Sequence, residues 1–79
     1  MNIYERWLLD WFSKRVSHLT LNINENYFTV GATDSLGVIE LIEDMEQTFN
    51  VRFSQDDFLD KRFVTISGLA ELLKNKKEL

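Results

Sequence analysis

The stretch Asp34-Ser35-Leu36-Gly37-Val38-Ile39-Glu40-Leu41-Ile42-Glu43-Asp44-Met45-Glu46-Gln47-Thr48-Phe49 decides the fold. Within it Val38, Leu41, Ile42, Met45 and Phe49 recur at i, i+3, i+4, i+7 and i+11, the spacing of one face of an α-helix. Asp34 or Ser35 can accept a hydrogen bond from the free N–H groups of a first turn, so the helix is expected to start there. Its polar side carries Glu40, Glu43, Asp44, Glu46 and Gln47, with no basic residue at helical spacing to pair with the acids. Such a face is usually just solvated. Crowded like charges cost stability, however, and that gives weight to docking of a basic partner.

Working outward, Tyr4, Trp7, Leu8, Trp11, Phe12 and Val16 recur at three- and four-residue steps ahead of this helix, with Glu5, Arg6, Asp10, Lys14 and Arg15 mostly on the other side. That predicts an amphipathic first helix. Its aromatic residues are read as core, because the polar face is mixed in charge and is not the Lys/Arg stripe of a membrane-surface helix. Between the two helices, Leu19, Leu21 and Ile23 alternate with polar residues, and Tyr27 to Val30 is a second β-prone run. Two readings stay open there: a short hairpin, marginal on its own, or an ordered loop that drops apolar side chains onto the helices. On the C-terminal side, Ser54-Gln55-Asp56-Asp57 has the form of a capping box and predicts a short helix ending near Arg62 or Phe63. Thr65 can cap a last helix with Ile66, Leu69, Ala70 and Leu73 facing inward. Gly68 inside that helix costs roughly 1 kcal/mol relative to alanine, so either a neighbouring backbone comes close or the surface must stay clear. The expectation is an all-α chain, a small four-helix bundle with a long loop between helices 1 and 2.

A chain of 79 residues is too short for more than one domain, so residues 1–79 are read as a single domain. A core of this size leaves a margin of about 3–5 kcal/mol, and a deep catalytic cleft would consume interior that the fold needs; an enzyme is not expected. With no cysteine and with His18 as the only histidine, the usual zinc sites cannot be assembled. The formal net charge of -4 would repel nucleic acid. Charge is also unevenly spread: from Ser17 to Val51 there is no Lys or Arg, whereas Lys74, Lys76 and Lys77 make a basic tail expected to face solvent. With no apolar run of about 18 residues and no leader pattern, no membrane insertion is expected and the cytoplasm is the default location.

The chemistry-bearing patterns are few. Ser35 in Thr33-Asp34-Ser35-Leu36-Gly37 lacks the glycine at position 33 and the preceding strand that a G-x-S-x-G nucleophile elbow needs. Asp56, Asp57 and Asp60 lack calcium-loop spacing and read as acids complementing a helix dipole. What remains is a serine on the threshold of a long acidic helix.

Asp34-Ser35-Leu36, followed by Glu40-Leu41-Ile42 and closing on Glu46 and Phe49, resembles the D-S-L segment and second helix of acyl carrier and peptidyl (aminoacyl) carrier proteins. The resemblance covers most of the chain, since a first amphipathic helix, a long loop, the D-S-L helix, a short helix and a final helix are that family's order. It implies that Ser35 is the attachment point of 4'-phosphopantetheine, transferred from coenzyme A by a separate phosphopantetheinyl transferase. The thiol of the arm then holds an acyl or aminoacyl group as a thioester. A phosphodiester on Ser35 would sit at a helix N-terminus, where free N–H groups and the dipole favour an anion. Without its surroundings, Ser35 would read as a plain helix cap.

Gly37 after D-S-L, and two residues between Gly31 and Asp34 where fatty-acid carriers have one, look more like stand-alone D-alanyl or other aminoacyl carriers, as does Asp57-Phe58 followed by Phe63-Val64-Thr65-Ile66. The expected cargo is therefore a small aminoacyl or acyl group, loaded by an ATP-dependent adenylating enzyme and passed to a downstream transferase or synthase by a monomeric carrier. An interior crowded with Trp7, Trp11, Phe12, Phe49, Phe58 and Phe63 favours that cargo over a long acyl chain. The expected docking residues are Asp34, Leu36, Glu40, Glu43, Asp44, Met45 and Ile66, with Leu36 and Met45 supplying apolar contacts. The alternative is an unmodified acidic helical docking module, which has no need of a hydroxyl at position 35.

Overall fold

The computed structural model describes residues 2–16 and 21–78. Among them are four α-helices, α1 (Ile3–Arg15), α2 (Ser35–Phe49), α3 (Gln55–Leu59) and α4 (Ile66–Lys77), with a single 3-10 turn, Lys61–Val64, between the last two. Helix starts fall on polar side chains that satisfy the orphan N–H groups of a first turn. Asn2 accepts from the N–H of Glu5 at 2.8 Å while the Glu5 carboxylate accepts from the N–H of Asn2 at 3.2 Å. Asp34 and Thr65 accept from the N–H groups of Gly37 and Gly68, at 2.9 and 3.0 Å. The Asp57 carboxylate reaches back to the N–H of Ser54 at 2.7 Å. Helix α2 ends at Asn50, whose backbone is left-handed (φ 54°), a conformation that asparagine adopts more readily than most residues.

The core forms where the apolar stripes converge. Leu8 and Phe12 of α1, Leu41 and Met45 of α2, and Leu69 and Leu73 of α4 are all fully buried, each contributing about 1.5–3 kcal/mol relative to exposure. Of the two tryptophans it is Trp11 that is buried; Trp7 and Ile42 pack only partly against this core. Phe58, expected inside, is 44% exposed on the outer edge of α3, its ring against that of Phe63. No helix of the described residues is long and apolar enough to cross a membrane.

Of the two readings of the long connection, the loop is observed. Over residues 21–34 there is no strand, only turns and one isolated bridge between Asn26 and Thr65; Leu19 and His18 lie outside the described residues. A two-stranded hairpin is marginal on its own, and backbone groups of Ile23 and Tyr27 pair instead with the start of α4 and the turn before it. The N–H of Tyr27 donates to Val64 O at 3.1 Å, and the N–H of Ser67 to Ile23 O at 2.8 Å. Tyr27 is buried, stacks on Phe12 and donates its hydroxyl to the Phe63 carbonyl; burial pushes its phenol well above the ordinary value. At the exit of the loop, Gly31 takes φ +77°, where a side chain would be strained.

The C-terminal half needs two further corrections. Helix α3 stops at Leu59, short of Arg62, because Asp60 starts the 3-10 turn by accepting from the N–H of Arg62 at 2.9 Å. Lys76 is no free member of a basic tail. It lies 2.7 Å from the Asp57 carboxylate, with both side chains partly buried, and clasps the end of α4 to the start of α3. Gly68 answers its own question: a Cβ there would stand 2.7 Å from the Cα of Arg62, so the close neighbour is backbone.

Candidate functional site

The site is built around the first turn of α2. Asp34, not Ser35, is the cap: its backbone is extended (φ -126°) and its carboxylate takes the N–H of Gly37. Ser35 is thereby the first helical residue, and its side chain is exposed. Among the described residues none makes a hydrogen bond with its hydroxyl or accepts from the N–H groups of Ser35 and Leu36. An exposed, unengaged hydroxyl beside outward-facing N–H donors of a 15-residue helix suits a phosphodiester chemically. The first turn holds no acidic side chain to repel that anion, the Asp34 cap standing just outside it.

The expected docking residues on α2 and α4 differ in exposure. Leu36 is 67% exposed, and Ile39, which the sequence reading missed, is 53% exposed one turn further on. Glu40 and Glu43 are also exposed, so residues 36, 39, 40 and 43 form one outward strip of mixed apolar and acidic character. Ile39 was detectable in principle, since it falls outside the Val38–Leu41–Met45 stripe, and an apolar residue off the core face is the signal. Met45 and Ile66, by contrast, are core residues: their exposures of 0% and 1% leave nothing for a partner to touch. Both lie on inward stripes, and that spacing outweighs the docking role expected for them.

Asp44 is engaged within the molecule. It accepts the indole N–H of Trp11 at 2.8 Å, and a guanidinium nitrogen of Arg15 stands 3.8 Å from it and 3.8 Å from Glu40. Two of the acids that lack a basic partner on their own helix, Glu40 and Asp44, thus find one on α1. Glu46 is likewise occupied, accepting the N–H of Phe53 at 2.9 Å. Further exposed apolar side chains include Ile3 at the start of α1, Phe28 and Val30 in the loop and Leu59 at the end of α3. Two open grooves, one lined by Glu43, Glu46, Gln47, Asn50, Val51 and Arg52 and one by Ile3, Arg6, Trp7 and Asp10, lie away from Ser35. No cluster of His, Cys, Asp or Glu able to hold a metal ion occurs among the described residues.

Comparison with known proteins gives the family. Residues 12–73 match the family described as the phosphopantetheine attachment site, a stretch that contains all of α2 and the first turn with Ser35. Curated relatives include D-alanyl carrier proteins of Streptococcus pyogenes serotypes M5, M49 and M1, each 42% identical over 41 residues, covering 46% of this chain and 52% of the relative. The chain thus spans about half the length of the curated relatives it matches. No solved structure matches it significantly.

Proposed function

From the premise that the chain belongs to the phosphopantetheine attachment site family, we propose that Ser35 carries the 4'-phosphopantetheine arm and that the protein holds a small aminoacyl or acyl group on it as a thioester. The observation that carries this reading is the exposed, unengaged Ser35 hydroxyl at a helix start capped by its neighbour Asp34. Because Asp34 does the capping, Ser35 is spared a structural duty and can take a phosphodiester through Oγ. The N–H groups beside it face the added anion, and the helix dipole favours its charge. The arm supplies the thiol that this cysteine-free chain lacks. Asp34 fixes where the turn begins, and so where the hydroxyl points.

A small aminoacyl cargo such as D-alanyl, loaded by an ATP-dependent adenylating enzyme and handed to a downstream transferase or synthase, fits the relatives' name and the filled interior. Leu8, Phe12, Leu41, Met45, Leu69 and Leu73 leave a long acyl chain no ready space, and forcing one into a packed core costs typically about 1–3 kcal/mol. Partners dock on the outward strip: Leu36 and Ile39 offer apolar contact, and Glu40 and Glu43 steer basic surfaces toward the serine.

The test is the intact mass of the protein after incubation with coenzyme A and a broad-specificity phosphopantetheinyl transferase. Wild type is expected to gain one arm, and Ser35→Ala none, with a nearly unchanged melting temperature because the lost hydroxyl is not the cap. A mass gain in the alanine variant would move the site elsewhere. A wild type that never gains mass would leave an unmodified docking module as the better account.

A further inference from the structure

Arg15 lies outside the strip that partners are read to use, yet its side chain reaches that strip from α1. The guanidinium carbon sits 3.6 Å above the centroid of the Trp11 ring, and one of its nitrogens donates to the Trp11 carbonyl at 3.2 Å. The other terminal nitrogen stands 3.8 Å from both Glu40 and Asp44. Trp11 itself is fixed by its indole bond to Asp44. Planar, weakly hydrated guanidinium stacks well on indole, so the cation is held in one orientation beside the two carboxylates. Both ion pairs are long and solvent-washed, and pairs of that kind add little to the stability of a fold. Their position is more informative than their strength. Glu40 and Asp44 share an intramolecular cation, whereas Glu43 has none among the described residues.

We propose that Arg15 is a tethered competitor for docking of the transferase, a cation of the chain itself that occupies Glu40 and Asp44 and that the transferase's basic surface must displace. The proposal rests on the reading of α2 as the docking face. Arg15 then slows association of any partner whose lysines or arginines are placed for Glu40 and Asp44. It favours partners that reach Glu43 and the exposed Leu36 and Ile39. Specificity arises because the same cation penalises one geometry of approach and leaves the other untouched.

Removing a positive charge anywhere on this acidic chain would speed association with a basic partner, so the test compares Arg15→Gln with Lys14→Gln. Lys14 is the neighbouring residue, its change in net charge is the same, and its carboxylate partner is Asp10 of its own helix at 3.5 Å. For each variant the rate of arm attachment by the transferase is followed by mass, and binding to the transferase by calorimetry. At low ionic strength Arg15→Gln is expected to load and bind roughly two- to fivefold better than Lys14→Gln, the factor that an exposed ion pair is worth, and the excess should fade with added salt. In a Glu40→Gln/Asp44→Asn background, where residue 44 keeps an oxygen for the Trp11 indole, the excess should vanish. Equal behaviour of the two single variants would overturn the proposal, and so would an excess that persists in the double background. A wild type that never acquires an arm overturns the carrier reading instead, so the two failures are told apart.

Discussion

Helices α2 and α4 begin alike and end up in opposite surroundings. Asp34-Ser35-Leu36-Gly37 and Thr65-Ile66-Ser67-Gly68 each place a capping side chain first and a glycine three residues later, and in each the cap accepts from the glycine N–H, at 2.9 and 3.0 Å. At α4 the turn is sealed. The long loop covers it, Ile23 O accepting from the N–H of Ser67 and Asn24 from the Ser67 hydroxyl at 3.0 Å, while Ile66 is buried and the backbone of Arg62 presses on Gly68. At α2 the equivalent N–H groups find no acceptor among the described residues, and Ser35 and Leu36 stand exposed. Local sequence thus makes two capped starts, but only the one that tertiary structure leaves uncovered keeps donors free for an anion. One copy of the pattern holds the bundle together, and the other is available for chemistry.

The most damaging way to probe that contrast is Gly68→Ala. The added methyl would stand 2.7 and 2.8 Å from the Cα and carbonyl carbon of Arg62, and backbone cannot swing aside as a side chain can. Overpacking of this kind typically costs about 1–3 kcal/mol, which exceeds the gain of roughly 1 kcal/mol in helix propensity. Thermal unfolding should show a melting temperature lowered by several degrees. An unchanged value would mean that the 3-10 turn is free to move away and that the start of α4 is less sealed than its contacts indicate.

How far these features were legible follows from the range over which each is determined. The stripe Val38, Leu41, Met45 and the caps at Thr65 and Ser54 depend on residues within a few positions of one another, and they could be read directly. The path of residues 21–30 depends on α4, more than thirty positions away. Its period-two pattern suits a strand as well as a loop that turns alternate side chains inward, and only the pairing of Tyr27 and Ile23 with Val64 and Ser67 decides between them. At the candidate site, the helix start at Ser35 and the outward position of Leu36 were legible because the turn is local. The engagement of Asp44 was not, since its partners Trp11 and Arg15 come from another helix.

Acid should act on the C-terminal side of the contrast. The side chain and N–H of Arg62 hold the Asp60 carboxyl down at about 2, below its ordinary value of 3.8. Burial works against the Asp57 carboxylate, but Lys76 and the N–H of Ser54 outweigh it and hold that group low as well. A carboxyl whose pKa is lower folded than unfolded stabilises the fold fully above its unfolded value and loses that contribution as pH falls through the folded one. The melting temperature should therefore be steady with respect to these two groups above about pH 5 and decline below about pH 4. Asp60→Asn should flatten that decline in part, leaving the share due to Asp57. A wild-type melting temperature independent of pH between 5 and 2 would show that neither contact stabilises the fold.

The mildest probe is Gly37→Ala, the counterpart of Gly68→Ala at the uncovered start. Here the methyl would meet the hydroxyl of Thr33, with Thr33 Cβ and the Asp34 carboxylate at an ordinary 3.5 Å. That hydroxyl makes only a long contact to the Asp34 carbonyl, at 3.4 Å, and can rotate away at small cost. Since no backbone is in the way and the glycine has no left-handed φ to maintain, the propensity gain of alanine should offset the rotamer change. The net effect is expected within about 0.5 kcal/mol of zero, as for most surface substitutions, with arm attachment at Ser35 retained. Melting temperature and mass gain, measured side by side for the two glycine variants, set the scale of the contrast. If Gly37→Ala proved as costly as Gly68→Ala, the first turn of α2 would be as tightly braced as that of α4, and the accessibility of Ser35 would need another cause than an uncovered helix start.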